Sequence, residues 1–206
     1  AGAGEPARPL LTPAQERALD LSICQQAVAA VRAEMEQKAA AGREREAALM
    51  GALDELFRAS VELVASLPSL QGKQIVERAL TAIKDGRLEE ADAALVALEG
   101  LLAELTLSES AGGVQRRVSG ARKAISEQRS SEAEEPLRRV AAAVQIPPAE
   151  AAAVESPLFV EAARKAVWLK AEEVAAANLA QVEKRLQDLG KEWGLAETAP
   201  KQQGTS

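Results

Sequence analysis

Leu21, Cys24, Val28, Val31 and Met35 recur at alternating spacings of three and four, and intervals of this kind return along nearly the whole chain. Such spacing places apolar side chains on one face of a helix and excludes the alternation of a half-buried strand. The stripe is narrow, of the coiled-coil kind, so one face of this first segment wants a partner helix. Thr12-Pro13-Ala14-Gln15 supplies the start: Thr12 caps, Pro13 occupies the first helical position, and Gln15 completes a capping box.

The same phase passes through Gly42 and re-emerges at Leu49, Leu56 and Leu63, with Lys38 and Arg45 interrupting it. Two arrangements satisfy the pattern. Either one helix of about 55 residues, ~80 Å at 1.5 Å per residue, runs from 13 to 67, or AAAGRERE turns and two helices fold back. Pro68 ends the segment in both.

Gly72 to Asp85 carries Ile75, Ala79 and Ile83 at helical spacing. Gly86 follows as a left-handed terminator, and Leu88, Ala91, Leu95, Leu98, Leu102 and Leu105 restart the stripe. The text AIKDGRLEEADAAL resembles the helix-turn-helix of tetratricopeptide-type repeats and the hairpin of bacterial YfdX-type proteins. The likeness covers about 35 residues and implies an antiparallel helix pair; no second copy stands at the tetratricopeptide period of about 34, so a solenoid is not expected.

Ser108 to Gly113 breaks the chain, and Val114, Val118, Ala121 and Ile125 mark a further helix. Ser130 offers a fresh cap, with a kink or restart expected between 130 and 136 because Pro136 lacks an N–H. Ile146-Pro147-Pro148 stops that segment, and a short helical turn fits 149–155. Ser156-Pro157 repeats the cap-then-proline start. From there Val160, Ala163, Val167, Ala171 and Val174 lead on to Val182, Leu186 and Leu189, predicting one helix of about 33 residues, roughly 50 Å, stopped by Gly190. No segment reads as strand. The fold expected is an all-α antiparallel bundle of about six helices, at least two of them long, with an elongated form or a protruding helix open, over residues 12–190. Residues 1–11 and 191–206 are expected as mobile tails.

Chemistry is constrained by what the chain lacks. Histidine and tyrosine are absent and Cys24 is the single cysteine. Without histidine, the usual neutral-pH base, the commonest transition-metal ligand and the triads built on it are missing, as is the Glu-x-x-His of di-iron bundles. No serine precedes lysine at the Ser-x-x-Lys spacing, and neither Gly72-Lys73 nor Gly112-Gly113 completes a phosphate-binding loop. The acidic groups Glu89, Glu90 and Asp92, Glu132, Glu134 and Glu135, and Glu172 and Glu173 lack calcium-loop spacing and read as solvated helix faces. No catalytic residue, cofactor or metal site is expected.

Cys24, on the apolar stripe, reads as a buried structural thiol. Arg116, Arg117, Arg122 and Lys123 form a basic face that either docks on an anionic partner or pairs with acidic helices of the same bundle. Phe159 and Trp168 are candidate anchors for a partner or lining for a pocket, with core filling as the alternative. Trp193 reads as packing over a helix end.

With 25 Lys and Arg against 31 Asp and Glu, a net charge of −6, nucleic acid is not the expected partner. No run reaches the roughly 18–20 apolar residues of a membrane span. The small-residue start suits a cytoplasmic chain or one left after a targeting peptide is removed. The function expected is a non-catalytic subunit, adaptor or scaffold that binds another protein, or itself as a homo-oligomer, through amphipathic helix faces. The alternative is a stress-related or carrier bundle holding a small apolar ligand between its helices.

Overall fold

A computed structural model describes residues 11–37 and 43–195 and shows an all-α protein. Among the described residues there are nine α-helices: α1 (Pro13–Glu36), α2 (Arg43–Ala65), α3 (Pro68–Lys84), α4 (Leu88–Leu101), α5 (Ala111–Ser126), α6 (Ser131–Ala143), α7 (Pro148–Ala153), α8 (Ser156–Trp168) and α9 (Glu172–Glu192). Residues 1–10 and 196–206, which include most of both expected tails, lie outside the described residues.

Thr12 begins α1 as its sequence dictates, accepting a hydrogen bond from the Gln15 N–H while the Gln15 side chain accepts from Thr12 N–H. Of the two arrangements open for 13–67, the chain takes the one with two helices, and the Arg45 guanidinium donates to the Met35 carbonyl at 2.8 Å. That contact spans ten residues, a reach that a continuous helix would stretch to about 15 Å.

The helices fall into two compact units. One comprises the described residues up to Leu63 together with those from Phe159 onward; the other comprises Val64–Leu158. In the second, α3 packs on α4 and on α6, and α5 packs on α6 and on α4, around a core that includes Val76, Leu95, Val118 and Leu137. An unforeseen two-residue pairing joins the ends of these helices. Strands β1 (Thr106–Leu107) and β2 (Val144–Gln145) run antiparallel, and Ser108 N–H extends the ladder to the Ala143 carbonyl. In the first unit α1 packs antiparallel to α9. Leu21 lies beside Gly190, where a Cβ would stand 3.5 Å from its methyl carbon, and Arg32 pairs with Glu183.

The buried residues expose a repeat of 42, not 34. Val76, Val118 and Val160 are all buried, as are Ala79, Ala121 and Ala163, then Ile83, Ile125 and Val167, then Ala91, Ala133 and Ala175, then Leu95, Leu137 and Leu179. The helix pairs α3–α4, α5–α6 and α8–α9 are copies of one unit. Leu49, Leu53, Leu56 and Leu63 of α2 keep the same register, 42 residues before Ala91, Leu95, Leu98 and Leu105. In α1, Val28 and Val31 match Val76 and Ala79 at 48, so the connection before α2 is six residues longer.

This period corrects several local expectations. The single long helix from Ser156 to Leu189 is two, because the chain turns at 169–171 where Lys170 adopts φ +58. The turn shifts the stripe by one, burying Ala175 and leaving Val174 outside. Gly190 does not stop α9, which continues to Glu192 and ends at Gly194 with φ +67. Gly190 is instead buried against α1. Ser130 makes no side-chain capping bond, although α6 does restart at Ser131, and Pro136 lies inside that helix. Ser156 is buried with its hydroxyl unpartnered, so it is not a cap either.

Candidate interaction surface

The turns joining paired helices share one backbone geometry. Asp85 N–H donates to the Thr81 carbonyl, Gly86 N–H to Ile83 and Arg87 N–H to Ala82. Glu127, Gln128 and Arg129 repeat these bonds to Lys123, Ile125 and Ala124, and Leu169, Lys170 and Ala171 repeat them to Lys165, Val167 and Ala166. The last bond of each set closes six residues, the Schellman arrangement that satisfies the orphan carbonyls of a helix end. It needs a left-handed residue, and Gly86, Gln128 and Lys170 have φ of +73, +59 and +58.

On that common frame the side chains diverge. Arg87 bonds Asp85 at 2.7 Å and also pairs with Glu90, while Arg129 pairs with Glu127 and Glu132. The hydrogen bonds that Arg87 donates to Asp85 and then to Glu90 make its guanidinium more basic, and the bond donated by Arg129 holds the Glu127 carboxyl below its usual range. These turns present a charged, self-satisfied surface. In the α8–α9 turn the acid, the arginine and the second acid become Leu169, Ala171 and Val174, and Trp168 stands where Lys84 and Ser126 stand in the other two.

The result is an apolar tip in solvent. Trp168 is 71% exposed, Leu169 62% and Val174 53%. Around the turn the buried positions keep their apolar character, Ile83, Ile125 and Val167 before it and Ala91, Ala133 and Ala175 after it, so the change at the turn is confined to outward-facing positions. Lys165 and Lys170 flank the tip, both exposed and without an ion-pair partner among the described residues. Arg164 is occupied by Asp54 at 2.9 Å and Glu161 at 2.7 Å, and Glu172 lies 3.6 Å from Arg45.

The basic residues of α5 are held differently. Arg122 reaches across to α4, bonding Asp92 at 2.7 Å and Glu99 at 2.8 Å, which raises its basicity through the Asp92 bond first. Arg117 pairs with Glu109, Lys123 lies 3.9 Å from Glu127, and Arg116 is exposed. The four are therefore spent largely within their own unit. Phe159 is half-buried under the Arg185 guanidinium, 4.1 Å from the ring centroid, a cation–π contact. The structure does not bring Phe159 into the Trp168 tip.

Cys24 is buried, and desolvation pushes its thiol up to about 12. Among the described residues no group of three or more Cys, Asp or Glu is placed to hold a metal ion, and no helix is long and apolar enough to cross a membrane. Sequence reading singled out Trp168 but missed Leu169, Val174, Lys165 and Lys170 as its companions. Aligning the chain on itself at 42 residues would have found them, since AIKDGRLEEA and AISEQRSSEA then stand over AVWLKAEEVA. Family models, curated proteins and solved structures were all compared with the chain, and none matches.

Proposed function

We propose that this protein is a non-catalytic interaction protein built from repeated helix pairs, with the α8–α9 tip as its contact surface. One observation carries the reading. Among three turns of the same backbone geometry, two carry an arginine bridging two acids and the third exposes Trp168, Leu169 and Val174. Exposing a tryptophan and a leucine at a turn has no packing benefit within the chain, whereas Trp dominates the energetics of protein contacts.

The repeats serve as a frame that holds the tip, their buried positions fixing the turn and their outward positions free to vary. A photo-crosslinking residue placed at 169, compared with the same residue at 85 and 127, tests this. Protein adducts from 169 and not from the other two are expected. Equal labelling from all three, or none, would remove the basis for the reading.

A further inference from the structure

We infer that the α8–α9 tip docks on the outer face of α1 in a second copy of this chain, the contact being made twice about a twofold axis. The inference rests on the proposed reading of the tip as a contact surface and names its occupant.

The receiving face lies in the first three turns of α1. Glu16, Leu19, Asp20 and Ile23 fall at i, i+3, i+4 and i+7, a strip of the helix beside the one that buries Arg17, Leu21, Cys24 and Val28, with Asp20 half-buried along the shared border. Leu19 is 49% exposed and Ile23 43%. Neither Glu16 nor Asp20 has an ion-pair partner among the described residues. This face is apolar with an acidic rim. The tip is its counterpart in sign: Lys165, Trp168 and Leu169 fall at i, i+3 and i+4 at the end of α8, with Lys170 beside them. The acid at this end not taken by an arginine is Glu173. Opposite charges around matching apolar centres set register and disfavour pairing of either surface with itself.

The placement of the two surfaces suits reciprocal docking. Because α1 runs antiparallel to α9, Leu21 lies by Gly190 near the end of α9, whereas the tip stands at the start of α9. Some 18 residues of helix separate them, about 27 Å along the axis. A surface and its complement at opposite ends of one helix pair meet twice when two protomers pack antiparallel, the self-complementary relation of a twofold dimer. Covering Trp168, Leu169, Val174, Leu19 and Ile23 on both protomers removes roughly 1,000 Å² from water, the lower bound for a specific interface. An interface at that lower bound is of the weak, concentration-dependent kind.

The test is the molar mass of the purified full chain by sedimentation and light scattering, from roughly 1 µM to roughly 200 µM. The expected result is a shift from monomer to dimer in that range. Leu169→Asp, which restores the acid found at Asp85, and Ile23→Lys should each weaken dimerisation at least tenfold, with thermal unfolding of the monomer unchanged. Val96→Lys, on a similarly exposed residue of α4, should not. A photo-crosslinker at 169 should label the 13–36 peptide of a second, isotopically distinct copy. A monomer at every concentration, or a dimer insensitive to both substitutions, would overturn the inference. So would adducts from 169 to a different protein in cells, or monomer binding to phosphatidylserine vesicles that Leu169→Asp abolishes; these leave the tip as a contact surface. An absence of any adduct from 169 would overturn both readings.

Discussion

Arg87 and Arg129 hold the same position in two turns 42 residues apart, and each bridges the acid two residues before it and the glutamate three after it. The bridges sit on a frame set by hydrogen bonds and by one left-handed residue, so the two contributions separate experimentally. All of these side chains are exposed, where screening leaves ion pairs little net effect. Arg87→Ala and Arg129→Ala should therefore change unfolding only slightly, and less at high salt. Glu127 titrates below its unfolded value, so its contribution is present above the usual glutamate range and is lost as pH falls through its lowered folded value. The acid limb of a stability–pH profile should lose that component in Arg129→Ala.

The left-handed positions should respond more. Gly86→Ala forces a side chain into φ +73, although space around it is open, and should lower stability by about 1 kcal/mol. Gln128→Gly and Lys170→Gly relieve the same strain at φ +59 and +58 and should raise it by roughly the same amount. Urea denaturation midpoints of the three variants check the signs. Stabilisation by Gly86→Ala would show that the turn geometry described for this repeat is wrong.

Cys24 gives a prediction in the alkaline range. Its thiol is raised from 9.0 to about 12 by burial, so the unfolded chain loses its proton first. Stability is full below pH 9 and declines between about 9 and 12, with a slope that approaches 1.4 kcal/mol per pH unit. Cys24→Ala should flatten that limb while lowering stability at neutral pH through the cavity it leaves. Labelling of Cys24 by a thiol reagent at pH 8 should proceed only at the rate at which this part of the chain opens.

How far the fold was legible follows from these same residues. Local signals with a chemical mechanism read correctly: the Thr12 capping box, Gly86 as terminator, the stripe from Ala91 to Leu102, the stop at Pro147-Pro148. In α3 the reading holds at Ala79 and Ile83, but Val76 is buried where Ile75 was expected and the helix starts at Pro68. The α8–α9 break was not legible locally, because Trp168-Leu169-Lys170-Ala171 holds neither glycine nor proline and keeps helical phase through Val174. Lys170 is left-handed because the packing of Val167 before it and Ala175 after it requires a turn, and that requirement shows only when the copies are superposed. Trp168 was visible as a large residue off the stripe. Its exposure was not, since a straight helix would have carried it differently. The β1–β2 clip, two residues on each side, falls below any periodic signal.

Two glycines sort by what surrounds them. Gly190 is helical, and a Cβ there would meet Leu21 at an ordinary 3.5 Å, so Gly190→Ala should gain up to about 1 kcal/mol from helix propensity. Gly72 is also helical, but its Cβ would stand 2.9 Å from a Leu105 methyl carbon. Leu105 must shift to admit it, so Gly72→Ala should fall short of the Gly190→Ala gain and Gly72→Val, the residue the next copy carries at Val114, should destabilise by about 1–3 kcal/mol. Thermal melts of the three variants compare them directly.

Glu150 of α7 is the buried charge whose role is clearest. Helix α3 starts after Leu67, which offers no side-chain oxygen, and Glu150 supplies the missing acceptor from outside the helix: its carboxylate accepts from the Ser69 N–H at 3.1 Å and from the Ser69 hydroxyl at 3.4 Å. The carboxyl oxygens also lie at the positive end of the α3 dipole. Glu150→Ala leaves the Ser69 N–H buried and unpaired and should cost about 1–3 kcal/mol. Glu150→Gln keeps an acceptor but loses the charge, and should cost less. Ser69→Ala removes only the longer bond and should be the mildest of the three. Amide exchange at Ser69 separates this from a general loss of packing: the rate should rise in that same order, with the centre of α3 around Val76 following only the global stability. Equal acceleration along the whole helix would show that Glu150 acts through the core of its unit and not as the cap of α3.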